Sequence, residues 1–156
     1  YKGITGHSDV RILPTLMIED AVKNLPKEDR QAVMIGGNFV SWYGGFDSYI
    51  VASQFEVPIV SPSMGRRQEG ESQLGIQQLP YMVWTDWIKI LNKFKYGVHL
   101  MRTHAAGTFA LNCAYLGIPC IGYKGLDTQE ICHPMLSIDL GDIPKAIEMA
   151  HKLKTD

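Results

Sequence analysis

The stretch GVHLMRTHAAGTFALNCAYLGIPCIG, residues 97–122, decides the fold class, because two mostly apolar runs flank a helical pattern. Gly97–Met101 and Ile118–Gly122 are short and rich in aliphatic residues, which is typical of strands buried in a parallel sheet. Between them, Thr108–Leu116 has the length and the apolar face of a helix. A strand, a helix and a second strand in this order predict a parallel sheet covered by helices.

The same alternation continues along the chain in both directions. We predict further strands at Ala32–Gly36, Val57–Val60, Ile76–Pro80 and Met135–Ile138. We predict further helices at 13–25, at about 46–55, at 84–95 and after a cap at Asp142, with the segment 123–134 as a loop. The predicted class is therefore α/β, a Rossmann-like doubly wound parallel sheet forming a single domain over residues 1–156.

Composition excludes several classes of protein. The chain has 156 residues, of which 46% are hydrophobic, and its 15 Lys and Arg nearly balance its 16 Asp and Glu. Neither disorder nor binding to duplex nucleic acid is expected from this balance, since nucleic acid demands a cationic face. No apolar run approaches the roughly 18 residues of a membrane-spanning helix. Three cysteines in mostly apolar surroundings favour a reducing compartment, so we expect a cytoplasmic location.

The loop and helix start at 102–112 are the richest candidate for chemistry. Ligands of doubly wound sheets bind beyond the carboxyl ends of the strands, where this segment follows a predicted strand. Free N–H groups and the helix dipole attract phosphate at such a start, and Gly107 allows close approach to the backbone. Asn112 lies on the apolar face of the helix, one turn beyond Thr108. This amide either bonds the backbone or faces a ligand.

Residues 106–122 resemble the signature of GT-B glycosyltransferases of the retaining, group-one type. That signature has a glycine-rich helix start, two acidic residues eight positions apart, and a small-x-Gly-x-Pro-Val-Ile pattern, which Gly117–Ile121 matches. The two acidic positions fall on His104 and Asn112, so both are replaced. Imidazole and amide groups can still form hydrogen bonds with sugar hydroxyls. The family's following Gly and Glu fall on Gly125 and Glu130.

The resemblance implies a fold, a substrate and a set of contacts. The chain would be the C-terminal, nucleotide-sugar-binding half of a GT-B enzyme, with its first strand apparently missing and the acceptor seated mainly on an N-terminal domain. The donor would be a nucleoside diphosphate sugar, and neither a metal nor another cofactor is expected. The implied contacts are Lys2, Gly107 and Thr108 with the diphosphate, Asn112 with the ribose, His104 and Glu130 with the sugar, and Pro80 and Tyr81 with the base. No catalytic residue is assigned.

Other functions stay open. The chain is alternatively a non-catalytic nucleotide- or sugar-binding module that kept the fold and lost the acidic pair, or an unrelated Rossmann-like enzyme that binds another phosphate. Cys132 and His133 are neighbours, but the cysteine spacing matches no familiar zinc site or thiol enzyme. The basic amphipathic helix at 84–95 fits a core-facing helix better than a peripheral contact with an anionic membrane, although both have this pattern.

Overall fold

A six-stranded parallel sheet forms the centre of the computed structural model, which describes residues 6, 15–62, 65–104 and 107–156. The strands are β1 (Ala32–Ile35), β2 (Ile59–Pro62), β3 (Gln77–Leu79), β4 (Phe94–His99), β5 (Cys120–Tyr123) and β6 (Ser137–Ile138). Their order across the sheet is β3-β2-β1-β4-β5-β6, and all neighbouring pairs are parallel. The α/β, Rossmann-like prediction is confirmed.

Helices cover both faces of the sheet. They are α1 (Gly45–Ala52), α2 (Trp84–Leu91), α3 (Thr108–Tyr115), α4 (Asp127–Cys132) and α5 (Ile143–Thr155). On one face, α1 and α5 bury Val51, Ala146 and Ala150 against the sheet. On the other face, α2 and α3 bury Ile88 and Phe109 in a second core. Strand β4 lies between β1 and β5, so the loop that follows it begins near the middle of the sheet.

The predicted helix at 13–25 is wrong over the residues that the structure describes. Only a 3-10 turn, Glu19–Ala21, forms between residues 15 and 25, whereas residues 13 and 14 lie outside the described part. Of the apolar positions that suggested a helix face, Met17 and Leu25 pack against the second core, whereas Leu16 is 75% exposed. Periodicity alone does not form a helix, because most of its stability comes from packing of the apolar face.

The segment 123–134, predicted as a loop, contains helix α4. The helix has only six residues and is mostly polar, so it lacks the apolar period by which helices are identified in sequences. Its anchor is Gln129, which is buried and donates from Nε2 to the backbone oxygen of Cys120 at 3.0 Å. The remaining predicted elements of the described chain are present, with ends displaced by a few residues.

Helix α2 places its apolar face in the core. Ile88 and Leu91 are fully buried, and Trp84 and Trp87 pack against the same cluster. The apolar face that suggested a membrane contact is therefore covered by the protein itself. Among the described residues, none of the helices combines the length and apolar character needed to cross a bilayer.

Candidate functional site

A cavity of about 190 Å³ lies at the carboxyl end of the sheet, between the loop after β3 and the start of α3. Its lining includes Gly36, Pro80, Tyr81, Trp87, Thr108 and Asn112. Four of the predicted donor-binding residues, far apart in sequence, are thus brought to one cavity. This is the edge of a parallel α/β sheet at which ligands bind.

The start of α3 borders this cavity. Gly107 is the N-cap residue and Thr108 is the first residue of the helix, and no described side chain caps it. The first N–H groups of a helix lack partners within the helix, and the dipole adds partial positive charge there. The Thr128 hydroxyl donates a hydrogen bond to the Gly107 carbonyl oxygen at 2.6 Å, which holds the N-cap residue in position. The helix start can therefore receive an anion.

Asn112 bonds a side chain and also lines the cavity. Its side chain is buried, and its Oδ1 accepts a hydrogen bond from Trp84 Nε1 at 3.4 Å. The residue also lines the cavity, so the partner is a side chain of α2 and not the backbone. Trp84 therefore fixes the orientation of the amide at the cavity wall.

His104 and Glu130 form a second group, around Gly125. His104 Nδ1 lies 2.7 Å from the Gly125 carbonyl oxygen, and the Gly125 N–H donates to Glu130 Oε2 at 3.0 Å. Gly125 has φ +110°, a conformation that L side chains rarely adopt. Both His104 and Glu130 are exposed at the loops that follow β4 and β5. Lys2, the remaining predicted ligand, lies outside the described residues.

Arg102, the basic residue of the candidate loop, is bonded elsewhere. Its Nε donates to Asp47 Oδ2 at 2.9 Å, which holds the pKa of the guanidinium above its usual value. Tyr123 donates its hydroxyl to the same carboxylate oxygen at 3.1 Å. Burial, with the Asp47 charge next, raises the pKa of Tyr123 to about 12. This cluster lies against α1, on the opposite face of the sheet from α3.

His99 is a residue of this region that sequence reasoning missed. It ends β4, is 5% exposed, and neither of its ring nitrogens has a hydrogen-bond partner among the described residues. Burial lowers the pKa of His99 to about 4, so the ring is neutral near pH 7. Its edge meets the ring of Phe109 at a centroid distance of 5.4 Å. The available signal was a histidine in the middle of an otherwise apolar run, Gly97–Met101.

Cys113, Cys120 and His133 are buried, and Cys132 is partly buried. Burial raises the pKa of the Cys113 and Cys132 thiols, which disfavours the reactive thiolate. His133 is buried, and its Nε2 lies 2.9 Å from the Ala110 carbonyl oxygen. Within the described ranges, no three His, Cys, Asp or Glu side chains are grouped so that they could hold a metal ion.

Comparison with solved structures identifies the fold. AviGT4, a glycosyltransferase involved in avilamycin A biosynthesis, matches 99% of this chain with 51% of its own, at a TM-score of 0.72 and 12% identity. WaaG, a glycosyltransferase involved in lipopolysaccharide biosynthesis, matches 83% of this chain with 39% of its own, at a TM-score of 0.67 and 14% identity. Anabaena HepE, solved with UDP and glucose, matches 81% of this chain with 38% of its own, at a TM-score of 0.61 and 15% identity.

The chain thus spans about half the length of these proteins or less. No protein-family model matches the sequence, and no curated protein matches it. At identities of 12–15%, similarity to these structures shows that the fold is shared and does not show a shared activity. This chain therefore has the Rossmann-like fold of one half of the GT-B glycosyltransferases.

Proposed function

We propose that this chain is the donor-binding half of a glycosyltransferase that uses a nucleoside diphosphate sugar. The observation that carries the proposal is the cavity at the start of α3. Pro80, Tyr81, Thr108 and Asn112, which the resemblance assigns to the base, the diphosphate and the ribose, all line it. The fold match alone would not suffice, because one fold serves many functions.

The chemistry of the cavity suits a nucleotide. An aromatic ring and a proline next to each other offer a surface for a planar base, and Tyr81 is 86% exposed and free to pack on one. The start of α3 would hold the diphosphate through N–H groups and the Thr108 hydroxyl. These groups, together with Lys2, would stabilise the leaving diphosphate electrostatically without a metal ion. His104 and Glu130 would meet the sugar.

Thermal unfolding in the presence of UDP and of GDP tests the binding site. A nucleotide at 100 times its dissociation constant adds about 2.7 kcal/mol to the free energy of unfolding, so the melting temperature rises measurably. The same titration in the presence of EDTA is expected to give the same shift. Absence of any shift with either nucleotide at millimolar concentration contradicts the proposal.

A matched pair of substitutions locates the site. Thr108→Glu places a carboxylate at the first residue of α3, where it repels a phosphate, and we expect at least about tenfold weaker UDP binding. Thr85→Glu makes the same change at an exposed position in the first turn of α2 and should leave binding unchanged. A glutamate in the first turn is favourable for both helices, so neither variant should unfold. Equal loss in both variants would place the nucleotide elsewhere.

The second candidate function is a non-catalytic nucleotide- or sugar-binding module. The observation that favours it is that both acidic positions of the motif hold other side chains, which are already bonded to the protein, His104 to Gly125 and Asn112 to Trp84. Glutamate at position 104 or 112 distinguishes the two functions. Transfer that appears only in His104→Glu or Asn112→Glu, with the partner half supplied, would favour the binding module.

A further inference from the structure

The buried imidazole of His99 requires a physical explanation. It carries one N–H donor and one acceptor nitrogen when neutral, and neither is bonded within the described part of the chain. Most buried polar side-chain atoms in folded proteins have a partner, because an unsatisfied group carries its full desolvation cost. An aliphatic residue would fill this strand position without that cost. A histidine here therefore indicates a partner other than the residues that the structure describes.

The position of the ring indicates where that partner binds. His99 pairs in register with Gly122 of β5, and Gly36 follows β1 on its other side. A Cβ at Gly36 would lie 2.7 Å from His99 Cγ, so the glycine leaves the room that the imidazole occupies. The ring of Phe109, in the first turn of α3, covers it. Gly36 and Phe109 both line the 190 Å³ cavity, so the His99 ring lies directly behind two of its lining residues without itself lining it.

The charge at this point favours an anionic partner. None of the lining residues that the structure describes is charged, and the start of α3 contributes partial positive charge. A neutral imidazole can donate its N–H to an anion, which makes a stronger hydrogen bond than a neutral acceptor does. Among the described lining residues, hydroxyl donors come from Thr108 and Tyr81 alone, so a bound phosphate would gain from one more donor.

We propose that His99 is a phosphate-binding residue, which donates a ring N–H to a phosphate oxygen of the nucleotide held at the start of α3. This inference rests on the proposed function and adds a ligand that the family motif does not assign. In the free chain, the ring nitrogens are closed off from solvent. The bond therefore forms when the Phe109 ring moves aside as the phosphate enters.

Calorimetric titration of UDP and of uridine into three variants tests the assignment. His99→Leu removes the donor while keeping an apolar side chain of similar volume, and His99→Gln retains a donor. We expect His99→Leu to bind UDP about 10- to 100-fold more weakly, the effect of losing a hydrogen bond to a charged group. His99→Gln should recover most of the affinity. His133→Leu, which changes the other buried histidine, should bind UDP as the original chain does.

Two further readouts separate a ligand contact from a structural role. Uridine lacks the phosphates, so its affinity should be the same for the original chain and for His99→Leu. In ¹⁵N spectra of the imidazoles, the His99 resonances should move when UDP binds, while those of His133 should not. Unliganded His99→Leu should also melt at a higher temperature than the original chain, because an unsatisfied polar group has been replaced.

Each result decides the assignment. Equal binding of UDP to the original chain and to His99→Leu would overturn it and leave the proposed function intact, since the ring would then serve an internal water. Parallel weakening of UDP and uridine would also overturn it, because the ring would then shape the pocket for the nucleoside. Failure of the original chain to bind UDP would overturn the inference and the proposed function together.

Discussion

At the scale of single residues, the response of the fold to acid depends on His99. Its pKa is about 4 in the native state and near 6.5 in the unfolded chain, so only the unfolded chain takes up this proton between those values. The free energy of unfolding therefore falls as the pH is lowered from 6.5 to 4, by about 3 kcal/mol from this group, and no further below 4. His133, whose pKa burial also lowers, contributes with the same sign.

Urea denaturation at a series of pH values between 7 and 4 measures this loss. His99→Leu should remove most of the difference in stability between the two ends of the range, because the titrating group is gone. An unchanged slope in this variant would mean that the native ring already carries its proton or is exposed to water.

Gly44 is the second residue at which a substitution should change the stability of the fold. It has φ +63°, and a Cβ there would overlap the Leu100 carbonyl oxygen, in the loop that leads from β4 to the candidate site. Gly44→Ala should therefore cost about 3 kcal/mol, from backbone strain and overpacking together. Gly75→Ala is the matched control, since Gly75 has φ +65° and open space around its Cα, and it should cost only about 1 kcal/mol. Urea midpoints of both variants measure the difference, and equal costs would contradict the overlap.

At the scale of elements, Arg30 joins the carboxyl ends of two helices, at the amino ends of the strands and so opposite the cavity. Its Nε donates to the Asn92 carbonyl oxygen at 3.0 Å, at the end of α2, and its Nη2 donates to the Leu116 carbonyl oxygen at 2.7 Å, at the end of α3. Arg30→Met keeps the aliphatic stem and removes these donors, so we expect a loss of about 2 kcal/mol. Arg67→Met, at an exposed loop position, should stay within about 0.5 kcal/mol. Similar urea midpoints for the two variants would contradict this role of Arg30.

The same scale shows what a sequence can predict here. Strands β4 and β5 with helix α3 were predictable because their apolar residues are buried where the pattern implies. The helix predicted at 13–25 failed although Met17 and Leu25 pack against a core, because these contacts are made by irregular chain and Leu16 stays exposed. The cavity residues were inferred from a motif, yet the pairing of Asn112 with Trp84 depends on how α2 packs beside α3. Contacts between distant segments leave no local pattern in a sequence.

At the scale of the whole molecule, this chain matches about half of AviGT4 and a smaller share of WaaG and HepE. A transferase activity requires more than a donor site. Glycosyl transfer between two bound sugars depends on holding donor and acceptor in register while water is excluded. The described cavity lies at the carboxyl end of a single sheet and, under the proposed function, would supply one wall for such a reaction. His104 and Asn112 stand where the motif would place two carboxylates.

We therefore expect this chain alone to bind a nucleoside diphosphate sugar without transferring the sugar. At most, slow hydrolysis should occur, because water reaches an open site and no acceptor is positioned. Product formation with a panel of nucleotide sugars and acceptors measures this, for the isolated chain and for the chain joined to an N-terminal GT-B half. The joined form should be at least about a thousandfold faster, a small part of what orientation of two reactants can contribute. Comparable transfer by the isolated chain would show that the reaction site is complete within these residues, and the half-enzyme proposal would have to be abandoned.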